Sequence, residues 1–175
     1  MRDISTLSPN KTRELRGVLM DIDGTLTDAQ GRLESEAFEG LWLLHQAGYR
    51  VVPVTGRPAG WCDAIARQWP VDGVIGENGA LAYALEGGVL KRWLHPEVDK
   101  AGVSGWQDKV RDKILSEIPA ARVAADQPFR LFDLAIDFCE EPPDLGLEVA
   151  RQIKALFEAC GCQAKISHIH VNGWR

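Results

Sequence analysis

Val18-Leu19-Met20-Asp21-Ile22-Asp23-Gly24-Thr25-Leu26-Thr27 is the stretch that decides the reading of this chain. Residues 16–21 form a short apolar run that stops at a carboxylate, as expected of a strand buried on both faces. The strand delivers two carboxylates, Asp21 and Asp23, at its carboxyl end, and glycine and threonine follow with a tight turn and a hydroxyl. In open parallel sheets ligands bind beyond the carboxyl ends of the strands, so a site is expected here. The spacing suits phosphoryl chemistry. Asp21 is the candidate nucleophile that would form an aspartyl-phosphate, and Asp23, directed elsewhere, the candidate acid and base. Unpaired N–H groups in the turn around Gly24 suit phosphate oxygens. The plainer alternative is an Asp-Gly turn with no chemistry.

Moving outward, residues 35–47 read as a helix stopped by Gly48. Residues 49–54 are β-branched and apolar, a second strand ending in Thr55-Gly56-Arg57-Pro58. A helix follows Pro58 to about Trp69, and residues 71–75 form a third strand closed by Glu77-Asn78-Gly79-Ala80. Strand–helix–strand–helix–strand implies a parallel sheet with right-handed crossovers. Thr55 and the Gly56 N–H make a small cradle for phosphate oxygens, to which Arg57 adds a forked positive charge; taken alone, the segment is an ordinary Gly-Pro loop. Asn78-Gly79 is likewise a normal turn.

The pattern then changes. Residues 81–85 and 89–94 flank Glu86-Gly87-Gly88, a hairpin signal. Residues 104–118 carry Trp106, Val110, Ile114 and Ile118 at helical spacing, and residues 122–125 suit a short strand. Phe132, Leu134, Ile136 and Phe138 alternate with Asp133, Ala135 and Asp137, the period of a half-buried strand. A helix over 144–159 and a final strand over 163–171 complete an α+β half.

With 25 acidic and 20 basic residues in 175, a net charge of −5 and no block of like charge, a general nucleic-acid surface is excluded. No apolar run approaches the roughly 20 residues that cross a bilayer. Residues 1–15 lack the apolar core of a signal peptide and read as a flexible leader. Cys62, Cys139, Cys160 and Cys162 fit reduced structural cysteines of a cytoplasmic protein, with Cys160-Gly161-Cys162 as a redox pair the alternative.

The Asp21–Thr27 string resembles motif I of the haloacid dehalogenase (HAD) superfamily, and Thr55-Gly56 matches its motif II position. Glu77-Asn78-Gly79-Ala80 is similar to a stretch of the Cof-type, subclass IIB branch, and Ser167-His168-Ile169-His170-Val171-Asn172-Gly173 to the cap-to-core return of its sugar-phosphate phosphatases, of which the mannosyl-3-phosphoglycerate phosphatase group looks closest. The resemblance implies an α/β fold: a Rossmann-like HAD core, amino-terminal part only, over residues 16–81, an inserted α+β type IIB cap over 82–171, and the start of a return to the core at 172–175. It further implies a Mg²⁺-dependent phosphohydrolase acting on a small phosphorylated metabolite such as a sugar phosphate, with no nucleic-acid or membrane partner. Asp21 and Asp23 would be catalytic and, through the Asp21 carboxylate and the Asp23 backbone carbonyl, would hold Mg²⁺. Gly24, Thr55 and Gly56 would bind the phosphoryl group, and Arg57 and Asn78 the rest of the substrate.

Three further residues have two readings. His168 and His170 share a face of the last expected strand, as zinc ligands would, without a third ligand nearby. Arg130 is a substrate contact or a solvated arginine. The family's third-motif lysine and fourth-motif acidic pair have no counterpart before Arg175, and Lys165, inside a cap strand, is no obvious substitute. A truncated, frameshifted or divergent member is therefore expected. The alternative function is a catalytically incompetent fragment or pseudo-enzyme that binds a phosphometabolite or a protein partner. A weaker third reading takes Asp21-Ile22-Asp23 as the metal-binding pair of a nucleotide-sugar transferase. Oligomeric state is not legible.

Overall fold

The computed structural model describes residues 4–98 and 105–175. Residues 1–3 of the expected leader, and Ser104 of the expected fourth helix, lie outside the described residues. The rest of the leader holds a 3-10 turn (Ile4–Thr6) and a short helix, α1 (Pro9–Glu14), whose first turn is capped by Ser8.

Strand β1 (Gly17–Met20) pairs in parallel with β2 (Arg50–Pro53), Gly17 opposite Arg50 and Met20 opposite Pro53. Between them runs α2 (Ser35–Gln46), ended by Gly48 at φ 84°, whose N–H returns to the His45 carbonyl. After β2 comes α3 (Ala59–Gln68), then β3 (Val74–Gly76), tied to the end of β2 by a parallel bridge between Val54 and Ile75. The strand–helix–strand order is as expected, with one correction. Leu19 is 68% exposed, so β1 is not buried on both faces; among the described residues it has one strand neighbour, β2.

The hairpin β4 (Leu81–Glu86) and β5 (Val89–Leu94) turns at Gly87 and Gly88, both at positive φ as a two-residue hairpin loop requires. It continues the first sheet, because β4 pairs antiparallel with β3 from Gly76–Leu81 to Val74–Tyr83. Leu81 and Tyr83 are buried in the same core as Ile22, Leu41, Val51, Ile65 and Val74, with Leu90 and Leu94 packed against it. A domain boundary at residue 82 would split that core; the second core begins at Trp106.

The second unit is an antiparallel sheet in the order β6-β7-β9-β8, formed by β6 (Arg122–Val123), β7 (Leu134–Asp137), β8 (Gln163–Ile166) and β9 (His170–Trp174). Helices α4 (Trp106–Glu117) and α5 (Gly146–Ala159) supply Val110, Ile114, Ala150, Ile153 and Phe157 to one face, where they meet Leu134, Ile136 and Val171. Gly173 sits under Phe157 so closely that a Cβ would lie 2.2 Å from the ring.

Three expectations change here. The final strand of 163–171 is a hairpin: Ser167 turns the chain by bonding the His170 carbonyl through its N–H (2.7 Å) and hydroxyl (3.0 Å). Residues 172–174 do not return to the first unit, because Asn172, Gly173 and Trp174 pair with Lys165, Ala164 and Gln163. And β7 is not half-buried. All four of its residues are buried, since its second face is covered by the polar contacts described below. No helix among the described residues is long and apolar enough to cross a membrane.

Candidate functional site

The carboxyl ends of β1 and β2 open into a cleft of about 380 Å³, whose lining includes Asp21, Asp23, Gly56, Arg57 and Asn78 on one side and residues 165–170 on the other. Five of the seven expected site residues thus line one cleft. Thr55, buried, borders the neighbouring cleft with Asp21 and Gly56. Asp21 is exposed, and one of its oxygens accepts the Ile22 N–H at 2.8 Å. The turn that follows is gathered on the Ile22 carbonyl, which accepts from Thr25, Leu26 and Thr27. Gly24, at φ 74°, donates its N–H to the Thr27 hydroxyl at 3.0 Å, so that N–H is already taken. By contrast the N–H groups of Asp23 and Gly56 have no protein acceptor among the described residues. The Thr55 hydroxyl accepts the Arg57 N–H at 3.0 Å, fixing the loop that presents Gly56.

Arg57 is committed rather than free. Its guanidinium forks the Asp23 carboxylate (2.9–3.3 Å), reaches Glu140 at 3.2 Å and stacks over Trp61 at 4.6 Å. Burial works against its charge, but Asp23 and Glu140 outweigh that and raise its pKa. The other Glu140 oxygen meets His170 Nε2 at 2.7 Å, so a chain of polar contacts Asp23–Arg57–Glu140–His170 joins the two units. Glu140 is placed by buried Asp137, whose carboxylate accepts the N–H groups of Cys139, Glu140 and Glu141. This arrangement removes the zinc reading: His170 is buried and paired, His168 is exposed on the turn, and among the described residues no three His, Cys, Asp or Glu converge as metal ligands.

Arg130 is neither solvated nor open to a substrate. Its side chain is 1% exposed and bonds Asp126, Asp133 and the Gly56 carbonyl, every contact at 2.9–3.0 Å. It therefore pins the Thr55-Gly56 loop from below. Asp133 also accepts from Asn78 (3.2 Å) and Asn172 (3.0 Å). Burial pushes its carboxyl up to about 6 despite Arg130, with the charge of Glu77 adding to the rise. Asn78, in the left-handed region at φ 57°, thus spends one amide hydrogen on Asp133 while its edge faces the cleft beside Gly56.

Sequence reasoning missed Glu77. Its buried carboxylate accepts four backbone N–H groups: Ala59 and Leu131 on Oε1 (2.9 and 2.8 Å), Phe132 and Asp133 on Oε2 (2.7 and 3.2 Å). It caps the amino terminus of α3 from 18 residues downstream and holds the segment leading into β7. The partners lie too far along the chain to be read from it. The Arg130 cluster did leave a signal, since Asp126, Arg130 and Asp133 stand at spacings of four and three. All four cysteines are free. Burial and the charge of Glu77 push the Cys62 thiol up to about 12, as befits a packing residue.

Residues 18–100 match the family described as haloacid dehalogenase-like hydrolase. A phosphoglycolate phosphatase of Methanoculleus marisnigri is 35% identical over 68 residues, which is 38% of this chain and 29% of the relative. The match thus spans less than a third of that relative's length. Among solved structures, Thermoplasma acidophilum 0175 superposes with a TM-score of 0.66 at 18% identity, covering 92% of this chain and 65% of the other. A HAD subclass IIB sugar phosphatase gives 0.55 at 14% identity, covering 91% and 70%. These likenesses establish the fold: a Rossmann-like core with a cap.

Proposed function

We propose that this chain, whose residues 18–100 match the haloacid dehalogenase-like hydrolase family, is a Mg²⁺-dependent phosphohydrolase of a small phosphorylated metabolite, a sugar phosphate or a compound of similar size. One observation carries the reading. An exposed carboxylate, Asp21, stands at the end of β1 beside a second carboxylate, Asp23, and across from an unpaired Gly56 N–H at the end of β2, all in one cleft. The names of the relatives, phosphoglycolate phosphatase and sugar phosphatase, point the same way. Free cysteines throughout suit a cytoplasmic setting.

In the first step an Asp21 oxygen attacks phosphorus, the P–O ester bond breaks, and Asp23 gives its proton to the departing oxygen. In the second, Asp23 takes a proton from water, whose oxygen displaces Asp21 and releases phosphate. The N–H groups of Asp23 and Gly56 hold phosphoryl oxygens as charge moves. Asp23 can take its acid turn only when the Arg57 fork lets go of one oxygen, so substrate phosphoryl is expected to draw Arg57 toward itself. The donor set fits Mg²⁺, which is commonly held by one or two carboxylates, substrate phosphate and several waters: the Asp21 carboxylate has a second oxygen free, and the Asp23 carbonyl accepts no hydrogen bond among the described residues. When bound, the ion would neutralise charge between Asp21 and the phosphoryl group.

A second reading, a phosphometabolite binder without turnover, is favoured by the same fork, because a carboxylate held by Arg57 is not free to move protons. One assay separates them: phosphate release from a panel of phosphomonoesters, with Mg²⁺ or with chelator. Metal-dependent release that disappears in Asp21→Asn supports hydrolysis. Release that persists in Asp21→Asn refutes it, and binding without release by folded protein leaves the binder.

A further inference from the structure

We propose that Lys165 selects substrates whose leaving group carries a second anion, a carboxylate; the inference rests on the phosphohydrolase reading above. Among the described residues three cations line the cleft: Arg57, Arg130 and Lys165. The first two are committed, Arg57 to Asp23 and Glu140 and Arg130 to Asp126 and Asp133. Lys165 has no ion-pair or hydrogen-bond partner from its side chain among the described residues, and it lines both the first cleft and the neighbouring one of about 480 Å³.

Its direction follows from the strand. In β8, Ala164 and Ile166 pack into the second core, so Gln163 and Lys165 project from the opposite face of the sheet. Across the ladder Lys165 stands opposite Asn172, itself buried and lining the first cleft. The side chain is thus aimed from the second unit toward the ends of β1 and β2. Phosphorus belongs on the other wall, next to Asp21 and Gly56. A leaving group running from there crosses the cleft toward Lys165. At about 380 Å³ the cleft is near the small end of ligand sites, so the group must be short. A neutral hydroxyl leaving group would displace water from the ammonium without replacing its charge. A carboxylate would pair with it in a charge-assisted hydrogen bond.

The test compares two probes of matched size, phosphoglycolate and 2-hydroxyethyl phosphate, which differ in a carboxylate against an alcohol. In wild type, kcat/KM is expected to favour phosphoglycolate about tenfold, carried by KM, the factor that 1.4 kcal/mol supplies. Lys165→Met should collapse that ratio toward one, and Lys165→Arg should restore most of it. Calorimetric affinities of the two probes, measured in Asp21→Asn with and without Lys165→Met, read the same preference without turnover. A preference lost with Lys165 in binding, but with no hydrolysis in wild type, keeps this inference and sinks the phosphohydrolase reading. No preference in either measurement with Lys165 present, or a preference that survives Lys165→Met in folded protein, overturns the inference.

Discussion

Glu77→Gln converts one acceptor oxygen of a buried carboxylate into a donor, where two backbone N–H groups now end. Whichever way the amide turns, it loses either Ala59 and Leu131 or Phe132 and Asp133 as partners. Hydrogen bonds to a charged group are worth about 1.5–3 kcal/mol each, and the stranded donors carry their own desolvation cost. Two such losses, softened by local relaxation, give an expected destabilisation of roughly 3–5 kcal/mol, against about 5–15 for a whole domain. Urea unfolding followed by tryptophan fluorescence measures it, with Glu86→Gln on the exposed hairpin as a control expected within about 0.5 kcal/mol of wild type. The bonds join α3 in the first unit to the approach of β7 in the second. The variant should therefore also broaden the transition and lower the apparent m value, as the units unfold less in concert. A loss below about 1 kcal/mol with m unchanged would show that the clamp holds nothing together.

Asp133, raised to about 6 by burial, stands above the ~3.9 of an unfolded aspartate, so the folded state holds this proton more tightly. Its contribution to stability is full below about pH 4 and is lost as pH rises through 6. Stability of Asp133→Asn relative to wild type should thus climb between pH 4 and 7, by at most roughly 3 kcal/mol; a flat difference in urea titrations over that range refutes it. Gly173→Ala would place a methyl 2.2 Å from the buried Phe157 ring. A cost of about 2–3 kcal/mol is expected, and Phe157→Leu in the same chain should relieve part of it; additive costs in thermal melts would count against that contact.

What could be read from the chain follows the range of the interactions involved. The Asp21-Ile22-Asp23-Gly24 turn, the Thr55-Gly56 loop and the α2 stop at Gly48 are set within a few residues of themselves, so strand order and the Asp21–Gly56 pairing were legible. Leu19 is exposed within an apolar run because burial of a strand depends on neighbours, and an apolar run does not say how many faces are covered. Asp133 and Asp137 looked like the wet side of a half-buried strand for the same reason. They are buried because Arg130, Asn78 and Asn172 satisfy one, and Arg122 with the 139–141 turn satisfies the other.

The boundary expected at residue 82 coincides with a change from parallel to antiparallel pairing, where β4 reverses direction beside β3 and adds Leu81 and Tyr83 to the first core. That pairing bears on the chemistry. With the hairpin in the core, the second unit meets the site through few elements: Arg130 and Asp133 beneath the Gly56 loop, Glu140 on Arg57 with His170 behind it, and the β8–β9 turn across the cleft from Asp21. Most of those contacts end on residues that position the loops. Among the described charged groups of the second unit, Lys165 alone reaches the cleft uncommitted. A substrate must therefore compete with protein carboxylates for Arg57 and does not reach Arg130, but meets no such competition for Lys165, which is why choice among leaving groups falls to that strand.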